Sequence, residues 1–571
     1  MGNWDREVDL LVFGSGAAGM TAALVGAHEG LEVLLCEKLA QIGGTTATSA
    51  GTLWIPGNNQ SARAGIPDSI DAGRTYLERE VGSYARRDLL DAFLESGPKA
   101  VDYLEARTEV KFDATRGHPD YHPDAPGGAY SGRALSPKPF DGRLLGPDFA
   151  LIRAPRSTLM ILGGMMVGRR EIPDLLRPFS SFAAFSYVTS ILLRHACDRL
   201  RYPRGTRLIL GNALVARFLV SLRKKNVPIE TNAALVELVR EGRRVEGAVV
   251  NVNGSLQRIR ARRAVVLATG GFPGSAAWRA KLMSEYPEVR SYAFEESKGD
   301  ALAAALAVGA ALDDEVMSPA WWTPVSILRR PDGSELLWAH HSLDRAKPGL
   351  IAVNSAGKRF VNEGDSYHDF VLGMFRAHRD VPSIPAYLIC DRRFLRKYGL
   401  GLIRPLYQRL GPYIKAGYLI KADSIPELAR RIGVDPEGLM ATVRENNRFA
   451  ETGVDEAFGR GSNGLNRHNG DPNHKPNPCL GPIERPPFFA VAVYPGIIGT
   501  CIGLKADADA RVIGTDGFPI EGLYVCGNDM ATVMRGAYPG PGITLGPAVT
   551  FAYRAIMHIT RSQPVSASQV S

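Results

Sequence analysis

The sequence predicts an α/β protein in which a parallel-sheet nucleotide-binding domain is interrupted by an inserted α+β domain. Three observations predict it. An apolar run at 8–13 leads into GSGAAG (14–19), a helix-prone stretch at 20–29 and a second apolar run at 32–36, the order of a βαβ unit. A second buried strand, in RRAVVLATGGF (262–272), ends in a glycine pair, and a third, in LYVCGND (523–529), stops at Gly527. Strand-then-glycine punctuation in three distant places implies one domain whose parts are separated by insertions. The composition changes between them: Trp321, Trp322 and Trp338 cluster, and 462–486 is an irregular stretch rich in Pro and Asn. The expected division is 1–290 for the first part of the nucleotide-binding domain, 291–487 for the catalytic insert and 488–571 for the second part.

Composition excludes several function classes. With 571 residues, 45% hydrophobic and 22% charged, the chain reads as globular and long enough for more than one domain. The net charge of +9 is spread over scattered basic pairs such as Arg169-Arg170 and Arg262-Arg263, with no block that would track phosphates, so nucleic acid is not an expected partner. Six cysteines lie far apart without a CxxC pair or a Cys/His spacing, which reads as buried free thiols and no metal site. MGNWDREVDLLVFG enters a strand without a signal-peptide pattern, so a cytoplasmic location is expected. The tail SQPVSASQVS (562–571) reads as a frayed end.

No segment reads as a membrane span. Pro178 to Leu193 lacks charge over 16 residues, short of the ~20 a span requires. With LMILGGMMVG (159–168) upstream, two readings stay open for about 159–193. It is a buried helix or wall of an apolar pocket, or it is an interfacial patch giving peripheral membrane contact.

The first chemical motif is Gly14-Ser15-Gly16-Ala17-Ala18-Gly19. Gly14 permits a tight turn, Gly16 lets the backbone approach a pyrophosphate, and Gly19 allows close helix–strand packing. Glu37 follows Gly19 by eighteen residues, at the end of the second strand, where a carboxylate accepts ribose hydroxyls. Next come Lys38, then Gly43, Gly44, Thr45 and Thr46, and then Ser49, Ala50 and Gly51, a second small-residue surface suited to a long, extended dinucleotide such as FAD.

This stretch, with ATGGF and GLYVCGND, resembles the succinate dehydrogenase/fumarate reductase superfamily of flavoproteins. The resemblance implies a Rossmann-like FAD-binding domain with Thr269, Gly270, Gly527, Asn528, Gly542, Thr544 and Leu545 also at the cofactor. Some superfamily members bind FAD covalently through a histidine near the glycine pair; Thr45 and Thr46 stand there, so non-covalent FAD is implied. The HGxNRLGG-like loop of fumarate reductases is replaced by GAYPGPG (536–542), which disfavours a charged substrate.

That loop resembles the Tyr-x-Gly-Pro-Gly loop of 3-ketosteroid Δ1-dehydrogenases. DYHPDAPGG (120–128), RFVNEGDSYHDF (359–370) and WWTP (321–324) resemble further landmarks of the same family. The resemblance covers essentially the whole chain and is weakest at about 150–205. It departs at Pro539, where a small residue is expected.

The resemblance implies roles. Tyr538 OH and Gly542 N–H grip the C3 carbonyl oxygen of an apolar ketosteroid, Tyr367 takes the C2 proton with help from Tyr121, and the C1 hydride goes to FAD, which an external acceptor such as a quinone or dye reoxidises. Ionising a phenol of ordinary pKa at neutral pH costs roughly 4 kcal/mol, so a neighbouring hydroxyl and the flavin field must lower that cost. His122 and His368 are not expected to be bases, because neighbours on a strand point to opposite faces. A desaturase of smaller cyclic ketones of the cyclohexanone type, or a fumarate reductase-type ene-reductase, is the alternative reading.

Overall fold

The computed structural model describes residues 3–407 and 409–561. The expected frayed tail at 562–571 lies outside the described residues. Arg6–Phe13, Val33–Glu37 and Ile229–Thr231 pair in parallel, and Arg6–Phe13 also pairs in parallel with Ser255–Leu267. Pro519–Val525 then pairs in parallel with the end of Ser255–Leu267, through Val265, Val266 and Leu267. The three glycine-terminated strands therefore stop at one edge of one eight-stranded sheet. Ligands bind at that carboxyl edge in open α/β sheets.

The helix Ala17–His28 starts directly after the glycine turn and buries its first ten residues. Its close seat depends on Gly19, where an added Cβ would lie 1.8 Å from the Gly14 carbonyl oxygen. The C-terminal helix Leu545–Arg561 packs beside it and against the long helix Arg87–Arg107.

A second, seven-stranded sheet is built around Phe488–Thr500, which pairs antiparallel with Ala320–Arg329 on one side and Ala386–Asp391 on the other. The insert therefore runs past the expected boundary at 487. Phe488–Thr500 is the centre of the second sheet, and the chain rejoins the first sheet only at Arg511–Ile513. Its apolar run, FFAVAV, reads as a generic buried strand, and only pairing decides which sheet takes it.

Two expectations are corrected. The reading of 178–193 as a buried helix fails: Phe182–Arg199 is a helix, but Phe179 and Phe182 are 84% and 85% exposed, and Leu193 is 62% exposed. Of the six cysteines, Cys197 on that same helix is exposed and the other five are buried.

Gly19→Ala is expected to force the helix off the strand at a cost of about 1–3 kcal/mol. A lower melting temperature and less flavin per polypeptide, read as visible absorbance against protein concentration, check this.

Candidate active site

One cavity of about 920 Å³ runs from the glycine turn to the junction of the two sheets. Its wall includes Gly14, Ser15, Gly16, Ala17, Ala18, Glu37, Lys38, Gly44, Thr45, Thr46, Ser49, Ala50, Gly51, Thr269, Gly270, Gly527, Asn528, Gly542, Thr544 and Leu545, all expected at a cofactor. Gly19 and Gly43 are not on this wall. Gly19 packs on Gly14, and a Cβ on Gly43 would meet that of Ala47 at 2.8 Å, so both are packing residues.

Hydrogen bonds hold this wall together. Glu37 Oε2 accepts from Ser15 N at 3.1 Å and from Ser15 Oγ, while Glu37 Oε1 accepts from Leu39 N at 3.1 Å. Ser15 Oγ also accepts from Gly43 N at 3.0 Å, and Thr46 Oγ1 accepts from Ala17 N at 3.0 Å. The acidic strand end, the glycine turn and the second small-residue segment thus form one rigid cradle. At Gly16 an added Cβ would meet only Thr46 Oγ1, at 3.5 Å, so its other side is open to a pyrophosphate. Lys38 pairs with Asp300 at 2.6 Å. Asp529 accepts from Thr269 Oγ1 at 3.0 Å and Gly271 N at 2.8 Å, locking the two remaining strand ends. These features fit FAD: backbone N–H groups for phosphates, a carboxylate for ribose and a cavity long enough for both ends.

At the other end three phenols meet. Tyr121 OH donates to Tyr367 OH at 2.8 Å, and Tyr367 OH donates to Tyr538 OH at 2.6 Å. The rings of Tyr121 and Tyr538 stack with centroids 5.2 Å apart, and Tyr367 stands edge-on to both. Three segments far apart in sequence deliver them. Tyr367 opens the helix Tyr367–His378, whose N-cap Ser366 accepts from Asp369 N. Tyr121 follows Asp120, which accepts from Trp54 Nε1 at 2.7 Å and from Arg133 Nη1 at 2.8 Å. Tyr538 lies between the Arg535–Asp313 ion pair and Gly542, whose carbonyl oxygen accepts from Trp54 N at 3.1 Å. Gly542 has φ of 102°, and a Cβ there would lie 2.6 Å from Thr52 O, so only glycine closes this loop.

Burial pushes all three phenols well above the ordinary tyrosine pKa. For Tyr367, burial leads and Tyr121 adds to the rise, so the easing expected from that hydroxyl is not found; the hydrogen bond with Tyr538 opposes the rise without overcoming it. The Arg345 guanidinium acts in the opposite direction on Tyr121 and Tyr367. It is buried and fixed on backbone carbonyls, among them His341 O at 2.8 Å and Glu363 O at 2.9 Å.

The two histidines are set aside for a reason other than strand alternation. Tyr367 and His368 sit on a helix, and Tyr121 and His122 in a loop. His368 is buried, accepts from Trp322 N at 3.2 Å through Nδ1, and is driven down to about 4 by that burial. His122 reaches Glu80 at 2.7 Å and Asp369 at 3.3 Å, clipping helix Ile70–Val81 to helix Tyr367–His378. Burial opposes its charge, but those two carboxylates prevail and push it up to about 11.

Sequence reasoning missed His341, whose ring centroid lies 4.6 Å from that of Tyr367 and which lines the cavity. It also missed the supports Asp120 and Asp529. Both lie in quoted landmarks, Asp120 at the start of DYHPDAPGG and Asp529 at the end of CGND.

Residues 9–545 match the model of the FAD binding domain family. The chain is 37% identical to a 3-oxosteroid 1-dehydrogenase of Mycobacterium tuberculosis over 97% of its own length and 98% of that protein. It belongs to the 3-oxosteroid 1-dehydrogenase family. It is an FAD-dependent oxidoreductase with a mixed α/β fold. The family likeness extends to structure: the 3-ketosteroid Δ1-dehydrogenase of Sterolibacterium denitrificans, solved with 1,4-androstadiene-3,17-dione, superposes with a TM-score of 0.89 at 36% identity, covering 98% of this chain and all of that one. A 4-oxocyclohex-2-ene-1-carboxylate 5-dehydrogenase of Sinomonas cyclohexanicum is 38% identical over 97% of this chain and 94% of its own.

Since the His122 pKa is raised on folding, the clip stabilises fully below the ordinary histidine value of ~6.5 and is lost as pH rises through about 11. Its side chain is 44% exposed, so His122→Ala is expected to cost only about 1 kcal/mol at pH 7. Denaturation midpoints measured from pH 7 to 11 should show the gap between wild type and variant closing.

Proposed function

We propose that the protein desaturates 3-ketosteroids at C1–C2. The observation that carries this reading is the chain of hydroxyls from Tyr121 through Tyr367 to Tyr538. Two hydroxyls 2.6 Å apart can address a carbonyl oxygen and a hydrogen on the adjacent carbon together. Tyr538 OH, which receives the Tyr367 proton in the chain, keeps its own proton to donate to the C3 oxygen, and Gly542 N–H is the second donor. Charge developing on that oxygen is stabilised as in an oxyanion hole, which acidifies the C2 hydrogen. Tyr367, as a phenolate to which Tyr121 OH donates, takes that hydrogen as a proton and becomes the neutral phenol. The chemistry FAD supplies when bound is acceptance of the C1 hydride at N5, which leaves the 1,2-double bond. Thr45 and Thr46, on the cavity wall, would contact it without a covalent link; Thr46 Oγ1 accepts from Ala17 N at 3.0 Å and Thr45 Oγ1 from Phe294 N at 3.3 Å. An external quinone, or a dye in vitro, takes the electrons onward.

A second reading is favoured by the Sinomonas relative, whose name carries a smaller ring ketone. The same site would desaturate it by the same steps.

The exposed apolar helix supports a membrane role. No helix among the described residues is long and apolar enough to cross a bilayer. Phe179, Phe182 and Leu193 nevertheless project outward, and Leu159 and Arg169 of the same 159–193 region line the cavity. A ketosteroid dissolves in lipid, so a patch resting on a bilayer delivers substrate to the cavity mouth. Arg177 and Arg199 are exposed beside the patch and suit an anionic surface. The double variant Phe179→Ser/Phe182→Ser should lose most of its co-sedimentation with phosphatidylcholine/phosphatidylglycerol vesicles. Equal binding of variant and wild type would remove this role.

With 4-androstene-3,17-dione and an acceptor dye, wild type should form the 1,4-diene, at a rate that climbs with pH because the base must lose a proton held well above its ordinary pKa. Tyr367→Phe should abolish turnover while retaining the flavin spectrum, and Tyr538→Phe should cost about 1–3 kcal/mol in kcat/KM. Near-normal turnover by Tyr367→Phe, or a flat pH profile, would contradict the assignment.

A further inference from the structure

The cavity is not uniformly apolar. Away from the cofactor cradle its wall carries Arg116, His118, Arg169, His468 and Asn469 beside Leu465 and Ile209. His118 and His468 stack with ring centroids 5.3 Å apart. Arg169 Nη1 faces His468 Nε2 and Asn469 Oδ1, each at 3.3 Å, and Arg169 Nη2 donates to His468 O at 3.3 Å. These contacts fix the guanidinium through Nη1 and one N–H of Nη2. Nε–H and the second N–H of Nη2 make up its remaining edge, a fork of the shape that fits a carboxylate.

Arg169 is exposed on this wall, and among the described residues it has no carboxylate within ion-pair distance. Of the acids nearby, Glu171 pairs with Arg207 and Asp113 with Lys138 at 3.3 Å, while Asp365, also on the cavity wall, is held by the neutral amides of Asn463 and Asn466 at 3.2 and 2.9 Å. Lys347, held on Gly470 O at 2.6 Å, adds a second positive charge that acts on His468. Burial, Arg169 and Lys347 push His468 down to about 4, and burial, His468 and Arg169 push His118 down to about 3. Both rings are therefore neutral at neutral pH, each with one N–H donor and one acceptor nitrogen, and His468 Nε2 accepts from Arg169 Nη1. An unpaired guanidinium with two neutral imidazoles on a half-apolar wall is the donor set for a carboxylate.

The position relative to the tyrosines follows from the chain. His118 precedes Tyr121 by three residues, so their Cα atoms are at most ~11 Å apart. Asp365, two residues before Tyr367, holds Asn466 of the short helix Gly464–Asn469 that carries His468. The cluster and the ketone clamp thus line one cavity, near enough for a single substrate to meet both.

We propose that this part of the cavity recognises an anionic tail, a carboxylate carried by the substrate on the side away from its ketone, with Arg169 as the specificity-determining residue. The proposal rests on the ketone-desaturation reading. It also refines the expectation that a charged substrate is disfavoured: the reacting end is uncharged, and the far end is not.

The test compares 3-oxo-4-androstene-17β-carboxylic acid with its methyl ester, using dye reduction. Wild type should prefer the acid in kcat/KM, and Arg169→Gln should lower the acid-to-ester ratio by about tenfold to a hundredfold, mainly through KM, the value of a charge-assisted fork. Because both substrates are measured on the same variant, a general loss of activity cancels in the ratio. Arg169→Lys, which keeps the charge and loses the fork, should fall between. An acid-to-ester ratio that is the same in wild type and Arg169→Gln overturns the anionic subsite and leaves the desaturation reading standing. If wild type dehydrogenates neither compound, the desaturation reading fails and the subsite fails with it.

Discussion

The carbonyl oxygen of Pro539 accepts from Tyr121 N at 2.8 Å and from Tyr76 OH at 2.7 Å. That junction fixes the loop carrying Tyr538 to the segment carrying Tyr121. Once these two rings are stacked, the position of Tyr367 OH follows, because only a point within hydrogen-bond reach of both hydroxyls completes the chain. Proline at 539 contributes here by stiffening a loop whose carbonyl must serve two donors. The loop is anchored upstream by Arg535, which sits at φ of 49° and is held by two hydrogen bonds of 2.8 Å to Asp313. A non-glycine residue in that region costs of order 1–3 kcal/mol, and a buried bidentate pair is the kind of contact that holds it there.

Burial then sets the chemistry. Removing the phenols from water raises their pKa values, so the resting protein keeps all three protonated and the hydrogen-bond chain intact. The same burial strengthens any charge-stabilising interaction once a substrate oxygen enters between Tyr538 and Gly542. Arg345, fixed on the carbonyls of the segments that carry His341 and Tyr367, is a buried positive charge that opposes the rise in the Tyr367 pKa. Its role is to position and to bias.

Much of this was legible in residue order. The glycine motif, Glu37 and the glycine-terminated strands specify a cofactor edge because backbone approach to a pyrophosphate admits few alternatives. The tyrosines were legible only through their surrounding segments, since a lone tyrosine carries no periodicity or charge signature. What the sequence did not reveal depends on pairing. Phe488–Thr500 is apolar in a way that suits either sheet, and only its partners assign it to the second. The helix Phe182–Arg199 has the composition of a core helix, yet it buries only Ala184, Val188 and Ile191 among its apolar positions and leaves Phe182, Phe185 and Leu193 exposed. The meeting of His118, Arg169 and His468 joins residues up to 350 positions apart and has no local signature.

The hydroxyl chain can be tested at the atom on which it acts. 4-Androstene-3,17-dione deuterated at C2, incubated anaerobically with the flavin-loaded protein in ordinary water, should lose its label to solvent, and the Tyr367→Phe variant should retain it. Label loss at an undiminished rate in that variant would show that another group takes the C2 proton and would contradict the account.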